Sequence, residues 1–193
     1  MVEEPYVYEG TTVLKNRLNE RSGDRLAIVE RQISGEQIAT TRGMTFPVSA
    51  AGYRALHKHI FGDIYDWAGQ FRTVDIAKPG TYFARAFAIT GEMDKRFAAF
   101  ARERAGRLAP DNVFDRLGHH ISELNAIHPF REGNGRTMRA HASLLARDTG
   151  MDVDGTKIDP DRWMHASKIS FQTADHRQIA QLLHDCCIRP PGL

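Results

Sequence analysis

The stretch His128 to Arg139, HPFREGNGRTMR, gathers the groups in this chain best suited to act together on a phosphate. An imidazole such as that of His128, with a reference pKa of about 6.5, can take a proton from an attacking hydroxyl near neutral pH. Glu132 offers hard oxygen ligands for a Mg²⁺ ion that also bridges phosphate oxygens. Gly133 and Gly135 let backbone approach a ligand closely, and the unpaired N–H groups of a first helical turn, aided by the helix dipole, favour an anion. Arg136 and Arg139 stand three apart, hence on one helix face, each with a planar fork that fits phosphate oxygens; two of them point to more than one phosphate. Each residue alone also has a structural reading: a packed histidine, a glutamate solvating a turn, arginines paired with neighbouring carboxylates. Together, around a Gly-X-Gly turn at a helix start, they describe nucleotidyl or phosphoryl transfer.

Such a corner needs two helices to hold it. Pro129 stops the helix that ends near Ile127, and a new one starts near Asn134. Apolar periodicity predicts the rest of an all-α frame of about seven helices. The first starts from an Asp24 cap and sets Leu26, Val29, Ile33 and Ile38 near helical spacing, with Gly35 as a potential break. The second opens on Ser49 as N-cap and aligns Tyr53, Leu56, Ile60 and Ile64. A third carries Met93, Phe97 and Phe100; a fourth, opening on Asp111, carries Val113, Leu117, Ile121 and Leu124. After the corner, one helix runs toward Gly150, another follows Asp159-Pro160, and a last one spans DHRQIAQLLHDCC. One segment breaks the rhythm. QFRTVDIAKPGTYFARAF alternates Phe71, Thr73 and Asp75 against Arg72, Val74 and Ile76, turns at Lys78-Pro79-Gly80, and resumes over Thr81 to Phe83, the pattern of a β-hairpin. Two strands are barely stable alone, so this hairpin must lean on helices or act as a flap.

Bulk properties narrow the function classes. The 193 residues, 41% hydrophobic and 26% charged, suit one domain with a real core. A net charge of +2 does not demand nucleic acid or anionic lipid as partner. Cys186 and Cys187, adjacent near the end, form no disulfide framework and no metal cage, and read as buried or idle thiols. The N-terminus lacks the pattern of a leader and no apolar run reaches membrane-spanning length, so the expectation is a cytoplasmic protein with no membrane partner. No repeats or low-complexity stretches occur, and only RPPGL at the end looks frayed.

The corner resembles the signature of the Fic family, His-X-Phe-X-(Asp/Glu)-Gly-Asn-Gly-Arg-X-X-Arg, at every defined position. HKHIFGDIYDWAGQFRT is similar to the segment that leads into the family's flap, and YVYEGTTVLKN resembles the opening of many bacterial members. The resemblance covers roughly Tyr6 to Leu183 and implies a single Fic domain over 1–193, with a core of about 6–183. It implies a helical bundle with one β-hairpin flap, and an enzyme that transfers AMP from ATP to a Ser, Thr or Tyr hydroxyl of a target protein. In that reading His128 is the base, Glu132 holds Mg²⁺ between the α- and β-phosphates, and Asn134 touches the α-phosphate. Gly133 and Gly135 form the anion nest, Arg136 contacts the β-phosphate, Arg139 the γ-phosphate, and Phe130 anchors the loop. Lys78 and Thr81 reach toward the nucleotide, and the helix around Ser167 to Gln172 lines the adenine pocket. The flap, 73–83, registers an extended target segment along its edge. Two alternatives stand beside this reading. Death-on-curing toxins transfer phosphate, but carry Lys where Gly135 stands; a non-catalytic nucleotide-binding module would need neither His128 nor Glu132. Nucleic acid is not an expected direct ligand, since a nucleotide would occupy the corner's arginines.

An absence adds a regulatory expectation. Many Fic proteins carry a helix with (Ser/Thr)-X-X-X-Glu-(Gly/Asn), whose Glu meets the second motif arginine. Here the Glu-Gly pairs are Glu9-Gly10, with Pro5 at the needed offset, and Glu132-Gly133, with His128 there, and neither fits. The resemblance therefore implies either an uninhibited enzyme or, the favoured reading, a small stand-alone bacterial toxin of the class without an internal inhibitory helix. A separate antitoxin would restrain it by supplying a Glu to Arg139. Length leaves no room for a delivery domain, so secretion or host delivery follows only if the chain is a trimmed effector fragment.

Overall fold

The computed structural model describes residues 4–78, 81–105 and 112–189. Among them are seven α-helices: α1 Gly23–Thr40, α2 Ala50–Phe61, α3 Ile89–Ala105, α4 Val113–Ile127, α5 Asn134–Arg147, α6 Pro160–Thr173 and α7 Arg177–Asp185. Between α2 and α3 lies an antiparallel hairpin of β1 Ala77–Lys78 and β2 Thr81–Tyr82, in register Ala77 to Tyr82 and Lys78 to Thr81.

Helix boundaries follow local chemistry. Ser49 accepts the amide of Gly52 to start α2, and Asp159 accepts that of Arg162 to start α6, with Pro160 in its first turn. At α1 the cap is Ser22, which accepts from the Arg25 amide, rather than Asp24; Asp24 falls inside the first turn, where its charge suits the dipole. Gly35 does not interrupt α1, because a glycine in mid-helix costs only about 1 kcal/mol against alanine. The expected Asp111 start of α4 and the Pro79-Gly80 turn fall outside the described residues; within them, Asn112 precedes α4.

Two apolar clusters hold the bundle. α4 packs against α3, α5, α6 and α7, and its Leu117, Ile121 and Leu124 are buried with Phe97 and Phe100 of α3 and Leu182 and Leu183 of α7. The second cluster joins Leu26 of α1 to Leu56, Ile60 and Phe61 of α2, with Ile64 and Tyr65 beyond it. α5 lies between them, giving Met138 to the first and Ala140 to the second. Each fully buried side chain of this size contributes roughly 1.5–3 kcal/mol, so the helix bearing the arginines is fixed from two sides.

Three expectations need correction. The alternation from Phe71 to Ile76 is not strand: the ladder covers Ala77–Lys78 and Thr81–Tyr82, because Arg72 turns inward, 2% exposed, and Asp75 is bound to Arg85 and to the Ala86 amide. α1 buries its predicted apolar face only in part: Leu26 is buried, and Ile33 and Ile38 pack partly buried against the second cluster. Its buried residues are Leu26, Glu30 and Ser34, a largely polar stripe turned toward α5. Finally, of the RPPGL end only Arg189 lies among the described residues, and it ends β4 Cys187–Arg189, which pairs antiparallel with β3 Asp152–Val153. Cys186 is buried and Cys187 partly so.

Candidate active site

α4 ends in a left-handed turn at His128, φ 49°, where its amide still bonds to the Leu124 carbonyl. Pro129 forbids continuation, and a non-glycine residue at positive φ needs support from its surroundings. The ring receives it: Phe83, just past β2, stacks on the imidazole at 3.9 Å. The Nδ1 of His128 lies 3.3 Å from the Asn125 carbonyl. A carbonyl only accepts, so the neutral ring carries its proton on Nδ1 and its lone pair on Nε2.

Phe130 anchors the loop, fully buried and stacked on His57 at 3.7 Å. Asn134 closes it. Its Oδ1 accepts the Phe130 amide at 3.0 Å and its Nδ2 donates to the Phe130 carbonyl at 2.8 Å. Most of that side chain is thus spent on the loop, leaving one Nδ2 proton and the backbone N–H for a ligand. His57, which sequence reasoning missed, supports the loop from beneath. Its Nδ1 accepts the Gly69 amide at 2.9 Å, so its Nε2 donates to the Glu132 carbonyl at 3.0 Å, and burial pulls its pKa down to about 4. It stays neutral at physiological pH.

The two motif glycines differ in kind. Gly133 has φ 81°, and a Cβ there would meet the Phe61 ring at 2.4 Å, so the fold itself requires glycine. Gly135 has an ordinary φ, and a Cβ would find nothing nearer than Arg139 Nη1 at 3.8 Å and the Trp163 indole nitrogen at 3.9 Å. Packing alone would tolerate alanine. What the missing Cβ keeps open is the floor of the cleft.

The arginines differ as well. Arg136 is already engaged: it pairs with Glu30, donates to Ser34 Oγ at 2.9 Å, and lies 4.8 Å over the Phe61 ring. Glu30 also accepts from the Tyr65 hydroxyl. Nothing local in the sequence announces this contact, which joins residues 106 apart. Arg139 forms no ion pair among the described residues and lies 5.8 Å from the Trp163 ring, with burial first and the Arg136 charge second lowering its pKa. It is a partly desolvated cation whose charge no neighbouring carboxylate neutralises.

These groups face a cleft of about 950 Å³. His128, Glu132 and the arginines form its floor; Ile76, Ala77 and Phe83 of the flap bound one side, and Trp163, Met164 and Ser167 of α6 another. Of the predicted adenine-pocket stretch Ser167 to Gln172, Ser167 lines the cleft, together with residues one turn earlier. Its hydroxyl is buried without a hydrogen-bond partner among the described residues. Thr81 is buried within the hairpin and does not line the cleft; Lys78 is described only as the backbone partner of Thr81. Glu132 is half-exposed, accepts its neighbour's amide at 2.8 Å and lies 3.6 Å from Arg136. Among the described residues no three carboxylates, histidines or cysteines cluster as a metal cage. That donor set still fits Mg²⁺, which is commonly held by one or two carboxylates and completed by phosphate oxygens and water.

Comparisons with known proteins cover most of the chain. Residues 47–146 match the Fic/DOC family. The chain is 37% identical over 172 residues to a protein of Sinorhizobium fredii named "Probable protein adenylyltransferase y4lH", spanning 88% of this chain and 89% of that one. It is 36% identical to the protein adenylyltransferase VbhT of Bartonella schoenbuchensis, over 87% of this chain and 36% of that longer protein. Among solved structures, the BepC protein of Bartonella tribocorum with bound AMPPNP shares the fold, with a TM-score of 0.89 over 97% of each chain at 22% identity.

Proposed function

The chain belongs to the Fic/DOC family, and from that premise we propose that it is a protein adenylyltransferase, moving AMP from ATP to a Ser, Thr or Tyr hydroxyl of a target protein. We take residues 1–193 as one such domain with its core at about 6–183. The observation that carries this reading is the contrast between the glycines. Gly133 is glycine for the fold, whereas Gly135 keeps open a helix N-terminus that faces a cleft beside the unneutralised Arg139. That is how backbone is left bare for a phosphate chain.

The amides that open α5 receive the phosphates, with the Asn134 backbone and its remaining amide proton at the α-phosphate. Arg136, held by Glu30, meets the β-phosphate, and Arg139 the γ-phosphate. Glu132 would hold Mg²⁺, which would neutralise phosphate charge there. His128 Nε2 takes the proton of the target hydroxyl as its oxygen bonds to the α-phosphorus; the bond from that phosphorus to the bridging oxygen breaks and pyrophosphate leaves with the electron pair. Trp163, Met164 and Ser167 offer an apolar wall with one unsatisfied hydroxyl for the nucleoside. The flap, 73–83, docks the target along its edge, with Ile76, Ala77 and Phe83 rather than the expected Lys78 and Thr81 facing the nucleotide cleft.

Restraint in trans belongs to the same reading. A second groove of about 490 Å³ runs between α1 and α5, lined by Ile38, Ala39, Ala140, Val153 and Ile158, and reaches Arg139. It suits an amphipathic antitoxin helix that presents a Glu to Arg139.

The test is transfer of label from α-labelled ATP to proteins of a cell lysate, with wild type and His128→Ala side by side. Magnesium-dependent labelling by wild type, lost in the variant, is expected, and the modified peptide should carry an adenylyl mass. A phosphoryl mass, or equal labelling by His128→Ala, would overturn the assignment.

A further inference from the structure

The Arg72 guanidinium is among the most deeply buried charges in the molecule, 2% exposed, and makes no ion pair among the described residues. It donates instead to four carbonyls. Nε bonds to His128 O at 2.9 Å, Nη1 to Val74 O at 2.7 Å, and Nη2 to Ala84 O and, at 3.3 Å, to Ile127 O. Those acceptors belong to two different structures. Ile127 and His128 are the final carbonyls of α4, which lack helical partners and lie at the negative end of the helix dipole. Val74 and Ala84 are the two shoulders of the hairpin, one before β1 and one after β2. Backbone bonds run alongside: Arg72 N to Pro129 O at 2.9 Å, and Ala84 N to Ala126 O at 3.2 Å. One residue from that shoulder, Phe83 lies flat on the His128 ring.

We propose that Arg72 is a positioning residue which, with the Phe83 ring, makes the orientation of the His128 imidazole depend on where the flap sits. A target strand that pairs with the hairpin thereby steadies the base that receives its own hydroxyl proton. The chemistry of the side chain supports this role. A guanidinium has five donors in one plane, enough for all four carbonyls; an ammonium has three on a point charge and cannot reproduce that planar set. The proposal rests on the reading of His128 as general base.

The experiment compares wild type with Arg72→Lys and Phe83→Leu by imidazole ¹⁵N NMR, the His128 signals being assigned by their loss in His128→Gln. Each protein is also assayed for turnover and half-saturating ATP with lysate proteins as acceptor. Wild type should show His128 as the Nδ1–H tautomer. Both variants should show averaged or shifted His128 signals, while those of His57, His120 and His141 stay put. Arg72→Lys should lose roughly 10²-fold in turnover, as expected for a base displaced by about 1 Å, with half-saturating ATP unchanged. Wild-type His128 signals and turnover in a folded Arg72→Lys protein would overturn the proposal; if that variant does not fold, the same result in Phe83→Leu overturns it. If wild type transfers no AMP at all, the adenylyltransferase reading fails, and the NMR comparison still decides whether the flap controls the ring.

Discussion

At the scale of single residues, the two glycines make opposite predictions. Gly133→Ala forces a Cβ into the Phe61 ring at a left-handed φ. It should cost about 1–2 kcal/mol for the backbone and about 1–3 kcal/mol for the overlap, read as a lower midpoint in urea unfolding. Gly135→Ala meets no such obstacle and adds a better helix former, so stability should hold or rise by up to about 1 kcal/mol. Its calorimetric affinity for Mg²⁺-ATP should nonetheless fall sharply. Equal binding by both proteins would contradict the assignment of Gly135 to the phosphate chain. Arg139 follows similar logic. As a partly desolvated cation without a carboxylate, beside Arg136, it adds little to folding. Arg139→Gln should therefore keep the wild-type melting temperature or exceed it while ATP binding is lost.

At the scale of elements, the corner depends on contacts that reach across the chain. Asn134 ties the N-terminus of α5 to Phe130 through both ends of its amide. Asn134→Ala leaves a buried amide and carbonyl unpaired and should cost about 1–3 kcal/mol per group. Hydrogen exchange should show that loss concentrated at Phe130 and the first turn of α5. α1 acts on the same corner through Glu30 and Ser34, an ion pair and a hydrogen bond to Arg136. Glu30→Gln keeps the shape but removes the closer of the two carboxylates at Arg136, leaving Glu132 at 3.6 Å, so nucleotide affinity should become more dependent on ionic strength. An unchanged salt dependence would mean that Glu30 does not tune Arg136. The helices themselves were readable from periodicity, since Tyr53, Leu56 and Ile60 of α2 and Leu117, Ile121 and Leu124 of α4 are all fully buried. α1 joins the apolar core through Leu26, but it also buries Glu30 and Ser34 against Arg136, a contact that apolar spacing does not announce.

At the scale of the whole molecule, buried histidines tie the fold to pH. His120 and His141 lie in the core, Nε2 to Nε2 at 3.3 Å, with Arg96 donating to His120 Nδ1 at 3.1 Å. Burial lowers both pKa values, that of His141 to about 3, with the His141 and Arg96 charges adding to the effect at His120; His57 falls to about 4. Unfolded histidine binds its proton at about pH 6.5, so each of these groups makes unfolding take up protons in acid. The associated stability is complete above about pH 6.5 and is lost as pH falls toward the folded values. His57 and His141 together should give a slope approaching 2.7 kcal/mol per pH unit between about pH 6 and 4. Urea midpoints measured from pH 7.5 down to 4.5 would check this; a flat profile would mean the rings are solvated.

The sequence by itself determined the helical frame, the corner at Pro129 and Asn134, and the grouping of His128, Glu132 and the two arginines at that corner, because periodicity, helix stops and a glycine turn are local properties. Tertiary structure alone decided which groups were left over for a ligand. Glu30 pairs with Arg136 and not Arg139, Asn134 is spent mainly on its own loop, Gly133 serves packing while Gly135 leaves the cleft open, and Arg72 joins the hairpin to the end of α4. Each of those outcomes depends on partners distant in the chain. Burial and electrostatic pairing arise only when the chain is folded, and they fix the charge and the free donors of a site whose residue types were already visible.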